Sequence, residues 1–301
     1  MRIGISMASS YNVTNVRDGA RFMLARAKAA ADAGLDSLFM GDHHVTPGPY
    51  YQNTPILARA LAEWRADAPA GALYLLPFRH PVLLAEEIAT VAAMMPQRFI
   101  MQCSIGYGDR EFAAFGINPK HRPSRFEECL DIMRRLWAGE TVSHQGRWQI
   151  ENAHIAPTPP EPVEVWIAAS APVAIERAAR LGDGWLAAPG LTKAQAKESL
   201  AHYIECCAKH GRAPGVKAIR RDVYVGESAA EAAATGGAVI KAGYRGFAPD
   251  ATVVGDAASV AAAFQEYADM GYTDVIIRNL VADQEKALAC IARLIEVKAL
   301  M

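Results

Sequence analysis

Short β-rich runs alternate with longer helical patterns from one end of the chain to the other, and this rhythm restricts the fold more than any other feature. The strand patterns are Arg2–Met7, Asp36–Met40, Ala72–Leu76, Phe99–Ser104, Val163–Ala169, Gly184–Ala187, Lys217–Val225 and Asp274–Arg278. Helical patterns separate and follow them: Arg17–Ala33, Pro55–Arg65, Pro81–Met95, Arg122–Ala138, Pro172–Arg180, Lys193–His210, Ala229–Ala242, Val260–Met270 and Gln284–Leu300. In Arg122–Ala138, for example, the apolar Phe126, Leu130, Met133 and Trp137 recur at helical spacing. Strand followed by helix, repeated, implies parallel strands joined by right-handed crossovers. Eight such units in 301 residues predict a closed (β/α)8 TIM barrel with extended loops. A doubly wound sheet would want Gly-x-Gly-x-x-Gly after the first strand, and Ile5-Ser-Met-Ala-Ser-Ser10 has none. The Pro-rich stretch Ala156–Pro162 resembles a linker, but the rhythm resumes at once. It is read as a loop inside a single domain spanning residues 1–301.

Composition narrows the function. Lys and Arg number 31 against 32 Asp and Glu, a net charge of −1. That balance offers no pull toward nucleic acid or an anionic membrane, so a small molecule is the expected partner. No apolar stretch reaches the ~18 residues of a membrane span. Met-Arg-Ile-Gly-Ile-Ser at the N-terminus reads as a strand and not as a signal peptide. The cysteines are five and scattered: Cys103, Cys129, Cys206, Cys207 and Cys290. An odd, dispersed set argues for ordinary core thiols in a reducing, cytoplasmic setting.

A TIM barrel carries its chemistry at the C-terminal ends of its strands. Those ends read Ser6-Met-Ala8, Gly41-Asp-His-His44, Pro77-Phe-Arg-His80, Ser104-Ile-Gly-Tyr-Gly108, Ala169-Ser170, Ala187-Ala-Pro-Gly190, Tyr224-Val225 and Arg278-Asn279. Asp42-His43-His44 is the most chemical of them. Two histidines beside an aspartate suggest a metal site, but adjacent strand residues point to opposite faces. The fifth, sixth and eighth strand ends offer no further His, Asp, Glu or Cys. A histidine serving as proton carrier or hydrogen-bond donor is therefore preferred, with no metal, and a structural histidine stays open. Ser170, at the start of a helical pattern, suits either an anion site or a plain helix cap. Gly106-Tyr107-Gly108 allows backbone to approach a flat ligand. No nucleophile elbow, P-loop or His-Glu-x-x-His occurs.

Read together, the strand ends form a known pattern. The pieces are Leu38-Phe-Met-Gly-Asp-His-His44, Leu75-Leu-Pro-Phe-Arg-His-Pro81, Gln97-Arg-Phe99 with Gly106-Tyr-Gly108, Glu111-Phe-Ala-Ala-Phe-Gly116, Val165-Trp-Ile-Ala-Ala-Ser170, Ala178-Ala-Arg-Leu-Gly-Asp-Gly-Trp185 and Val254-Gly-Asp256. In this order and spacing, from Arg2 to about Arg278, the chain resembles the bacterial luciferase-like flavin monooxygenases, a family that includes coenzyme F420-dependent oxidoreductases. The resemblance implies reduced flavin in the barrel mouth, its ring system against the second to fourth strands. It places His43 where the luciferases have their catalytic histidine, with Asp42 in place of the more usual Glu, and makes His43 and Asp42 the expected catalytic residues. It sets Ala72-Leu73 at a non-proline cis peptide beneath the flavin, with Ser104, Gly106 and Tyr107 beside the cofactor. It puts Ala169, Ser170 and Val173 around the flavin phosphate. Luciferases carry an arginine late in the fourth strand that meets this phosphate, and here Ile105 stands in its place.

The resemblance thus implies a two-component monooxygenase. Reduced FMN from a partner flavin reductase would react with O2 to a C4a-peroxide on a small apolar or carbonyl substrate. The alternatives are an F420-dependent hydride-transfer enzyme, a non-catalytic flavin-binding paralogue, and a metal-dependent barrel hydrolase. Tyr50, Tyr51, Phe78, Tyr107 and Trp185 suggest a partly aromatic pocket, and Gly236–Thr252 is the nominated lid. A homodimer is the expected assembly.

Overall fold

The computed structural model describes residues 1–301. Its elements run β1 (Arg2–Met7), α1 (Val16–Asp32), β2 (Ser37–Met40), α2 (Asn53–Ala60), β3 (Ala70–Leu75), α3 (Pro81–Ala93), β4 (Phe99–Ser104), α4 (Asp109–Ala114) and α5 (Arg122–Trp137). Then come β5 (Val142–Gln145), β6 (Gln149–Ala153), β7 (Glu164–Ala169), α6 (Pro172–Leu181), β8 (Gly184–Ala187), α7 (Lys193–Lys209), β9 (Val216–Val225) and α8 (Ala229–Lys241). The chain closes with β10 (Thr252–Gly255), α9 (Ala257–Met270), β11 (Asp274–Asn279) and α10 (Gln284–Ala299).

Eight parallel strands pair in the cyclic order β1-β2-β3-β4-β7-β8-β9-β11, and β11 returns to β1. The fold is a (β/α)8 TIM barrel, as the alternation predicts. Closure satisfies every strand edge, which an open sheet would leave bare. The β5–β6 hairpin and the short β10, which extends the sheet beside the upper half of β9, were not expected. Both are short, and Val142-Ser-His-Gln145 has no run of β-formers to announce it. No helix is long and apolar enough to cross a membrane.

One strand begins earlier than its pattern. β3 starts at Ala70 because Ala70-Gly71-Ala72, poor β-formers, must lie flat on β4. A Cβ on Gly71 would stand 1.8 Å from the Ile100 carbonyl oxygen, so only glycine lets the two strands close. The cis peptide expected at Ala72–Leu73 is absent. The cis bond of the chain is Ala156–Pro157, and Ala72 and Leu73 stay in register with Met101 and Gln102.

The barrel interior is layered. Phe39, Ile100, Trp166, Leu186, Ala218 and Ile276, from six different strands, form an apolar plug. Side chains on a strand alternate in direction, so the next inward position lies two residues on. Those positions are Gly41, Gln102, Ala168, Ala188, Arg220 and Arg278, and all six line the cavity above the plug. The outward faces of the strands join the helices in a core of 71 buried residues. All five cysteines are free and buried.

Candidate active site

The cavity has a volume of about 350 Å3 and opens at the C-terminal ends of the strands. Thirteen of its 27 lining residues are hydrophobic, among them Met7, Leu73, Leu75 and Ile105. Four arginines share it with a single carboxylate, Asp42. A chain that is neutral overall therefore gathers an excess of positive charge at one point, even with Asp222 behind Arg220 and Arg245.

His43 stands on this wall, half exposed, with its ring edge-on to Tyr50 at 5.6 Å and Tyr107 at 5.9 Å. Its Nδ1 lies 3.4 Å from Oε1 of Glu111. Glu111 comes from the first turn of α4, is buried, and accepts the His44 backbone N–H at 2.9 Å. One carboxylate thus fixes both the backbone and the ring of the histidine pair. With Nδ1 turned to Glu111, Nε2 is the nitrogen left to act on a ligand.

Asp42 and His44 do a different job. Asp42 is buried and accepts the Leu75 N–H at 2.9 Å and Arg79 Nη2 at 3.0 Å, and His44 Nε2 sits 3.2 Å away. Burial works to raise its carboxyl. Contact with His44, the Arg79 charge and the Leu75 N–H outweigh burial and hold it below the ordinary aspartate range. The residue pins the end of β2 to the end of β3. His44 packs edge-on against Phe78 and Phe115. The two imidazoles diverge, His43 toward the cavity and His44 toward Phe78 and Phe115.

The other predicted positions separate cleanly. Leu73, Ser104, Gly106, Tyr107, Ala169 and Ser170 all line the cavity. Gly106 has φ of +71°, a turn glycine accepts without cost, and its N–H points to Ser104 Oγ at 3.4 Å. Ala72 is fully buried in the core, and Val173 is exposed on the first turn of α6, outside the lining. Ser170 does not cap α6. Ala171 holds the N-cap position and no side chain caps the helix there. Of the five aromatic candidates, Tyr50 and Tyr107 line the cavity. Tyr51 packs on Tyr11, Phe78 on Phe112, and Trp185 is fully buried in a stack with Tyr203. Burial pushes the Tyr50 phenol up to about 12.

The nominated lid is only partly loop. Gly236 lies inside α8, packed against Tyr224 and Val254, where a Cβ would clash. Gly243, Arg245 and Gly246, by contrast, all have positive φ, and Arg245 reaches the cavity.

Residue types at the strand ends do not by themselves single out Glu111, Gln102, Arg122, Arg220 or Arg245 as site residues. Gln102 and Arg220 carried a usable signal: each sits two residues beyond an apolar inward position of its strand. Gln102 Nε2, Ser9 Oγ and Arg220 Nε are buried atoms with no hydrogen-bond partner, and all three residues line the cavity. Unpaired buried donors are costly, and their gathering in one cavity marks a place built for a polar ligand.

Comparison with known proteins agrees with the barrel fold. A family model described as luciferase-like monooxygenase matches residues 1–249. An F420-dependent glucose-6-phosphate dehydrogenase of Microbacterium testaceum is 29% identical over 195 residues, 62% of this chain and 58% of that protein. The chain therefore spans somewhat over half the length of the curated relatives it matches. Among solved structures, monooxygenase RslO1 from Streptomyces bottropensis superposes with a TM-score of 0.86 at 22% identity, covering 98% of each chain. An F420-dependent secondary alcohol dehydrogenase in complex with an F420-acetone adduct gives 0.81 at 19% identity, covering 100% of this chain and 99% of the other.

Proposed function

This chain belongs to the luciferase-like monooxygenase family, and from that premise we propose that it is an F420-dependent oxidoreductase moving a hydride between the deazaflavin and a small alcohol or carbonyl substrate. The observation that carries the reading is the His43–Glu111 pair on the cavity wall, 3.4 Å apart and backed by a buried carboxylate. The F420 dependence of the curated relatives supports the choice of cofactor.

The residues present fit a flavin or deazaflavin. Gln102 Nε2 and Ser9 Oγ are orphaned donors suited to the carbonyls of such a ring, between apolar walls of Leu73 and Ile105. Ser170 and Ala171, ahead of α6, would meet the phosphate. Arg122 lines the same cavity without a side-chain hydrogen bond or ion pair and would supply the cation that Ile105 does not. When bound, F420 accepts or returns two electrons as a hydride. The protein's part is positioning and proton management. In the oxidation direction His43 Nε2 takes the hydroxyl proton as the carbinol C–H bond gives up its electron pair, leaving a carbonyl. In reduction the same nitrogen returns the proton. Glu111 holds the imidazole in the tautomer that can do this and stabilises it once protonated. Tyr50, kept protonated, is a hydrogen-bond donor beside it.

The family model favours a second reading, a monooxygenase using reduced FMN from a partner reductase. Titrating the purified protein with F420 and with FMN separately, while recording cofactor absorbance and O2 uptake, separates the two. F420 is expected to bind the more tightly, and its reduced form to consume no O2. Tight binding of reduced FMN with O2 uptake would overturn the first reading in favour of the second.

A further inference from the structure

We propose that the cavity contains an oxyanion subsite, built by Arg220, Arg278 and Arg245, and that the substrate carries a carboxylate or phosphate group that docks there. This deepens the preceding reading and rests on it for the cofactor's place.

Arg220 and Arg278 occupy the first inward positions above the apolar plug, on the adjacent strands β9 and β11. Arg278 makes no side-chain hydrogen bond or ion pair, although it lines the cavity. Arg220 Nε is buried without a partner, and its Nη2 reaches Asp222 only at 3.4 Å. Arg245 arrives from the left-handed turn after α8 and shares that same Asp222, at 3.0 Å, with the Tyr244 hydroxyl at 2.9 Å. One buried carboxylate therefore serves two guanidinium groups and a phenol, while a third guanidinium stands free.

The balance is unfavourable to Arg220, the most enclosed of the three, while Arg278 is partly exposed and Arg245 reaches in from the surface. Burial lowers the Arg220 guanidinium to about 10, and the neighbouring Arg278 and Arg245 push in the same direction against Asp222. A structural network would supply more acceptors than this, since buried charge is retained only when paired. An oxyanion, with several lone-pair directions, matches the forked donors of arginine and would relieve both the unpaired donors and the mutual repulsion. Depth assigns the role. The subsite lies on the cavity floor against β9 and β11, whereas Ser170, Ala171 and Arg122, the proposed phosphate end of the cofactor, come from β7, α6 and α5.

The probe is inorganic phosphate, titrated at constant ionic strength into wild-type protein and into Arg278→Met and Arg122→Met. Thermal melting reports protection and calorimetry reports affinity. Arg278 is partly exposed, so its replacement leaves the barrel folded, which an unchanged far-UV spectrum checks. Saturable protection of wild type and of Arg122→Met is expected, with affinity at least about tenfold weaker in Arg278→Met. No saturable binding to wild type, or equal binding by wild type and Arg278→Met, would overturn the subsite. F420 titration of the same three proteins keeps the two ideas apart. A wild type that binds no F420 defeats the cofactor reading, while the phosphate comparison still judges the subsite. Equal F420 binding by wild type and Arg278→Met, together with unchanged phosphate affinity, defeats the subsite alone.

Discussion

Asp42 stands next to the proposed catalytic histidine, yet its contacts assign it a structural task, and the difference is measurable. Replacing it with alanine strips acceptors from the Leu75 N–H at 2.9 Å and from Arg79 at 3.0 Å, and leaves that arginine without its carboxylate. Breaking one side of a fully buried ion pair costs about 3–5 kcal/mol, and the partial exposure of Arg79 puts this one at the lower end. At roughly 2–4 °C per kcal/mol for a large domain, the melting temperature should fall by on the order of 10 °C. Urea unfolding followed by circular dichroism gives the loss as a lower midpoint at unchanged slope. The pH dependence has a definite sign. The folded carboxyl is held below its unfolded value. Its stabilisation is therefore complete above the unfolded value of about 4 and disappears as pH falls through the folded one. The gap between wild type and Asp42→Asn should stay constant from about pH 7 to pH 5 and narrow below about pH 4. A double mutant with Arg79→Met should be less unstable than the two single losses combined, because it removes both halves of the pair. If Asp42→Ala instead unfolds like wild type and only turnover collapses, the pinning argument is wrong and Asp42 belongs to the chemistry.

His43→Ala should lower turnover about 10²–10⁴-fold while cofactor affinity stays near that of wild type. Loss of cofactor binding instead would make the ring a docking group. Glu111→Gln keeps an acceptor for the His44 N–H but loses the charge that orients and stabilises the His43 ring. It should reduce turnover by less than His43→Ala does and shift the pH–rate profile, and an unmoved profile would count against the pair. Gly71→Ala puts a Cβ 1.8 Å from the Ile100 oxygen. A loss of about 3 kcal/mol or more, seen in soluble yield and urea midpoint, is expected, and a stability equal to wild type would show that β3 and β4 can separate at no cost.

Much of the architecture was legible because helical and strand periodicities are local. Arg2–Met7, Phe99–Ser104 and Gly184–Ala187 are strands with the bounds their patterns suggest. β5 and β6 were missed since their residues face largely outward and carry no alternating apolar signal. The start of β3 was misplaced because Gly71 is a poor strand former chosen for clearance, a demand made by another strand. In the site, His43, Ser104, Gly106, Tyr107, Ala169 and Ser170 stand at strand ends, which can be located once strands are, and they line the cavity; Leu73 lines it too but is placed, like Ala72, by resemblance. Ala72 and Val173 were placed by resemblance, and their side chains lie in the core and on the surface respectively.

What the sequence by itself determined was the count and order of β/α units, and with them the eight strand ends at which chemistry could gather. What only the tertiary structure decided was which of those ends meet. Asp42 finds Arg79 across 37 residues, and His44 finds Glu111 across 67. Arg220 and Arg278 become neighbours when β9 pairs with β11. The physical reason is closure. Periodicity tells each strand which side chains face inward, but the barrel sets the register between strands. That register gathers unpaired arginines and orphaned donors above the same apolar plug.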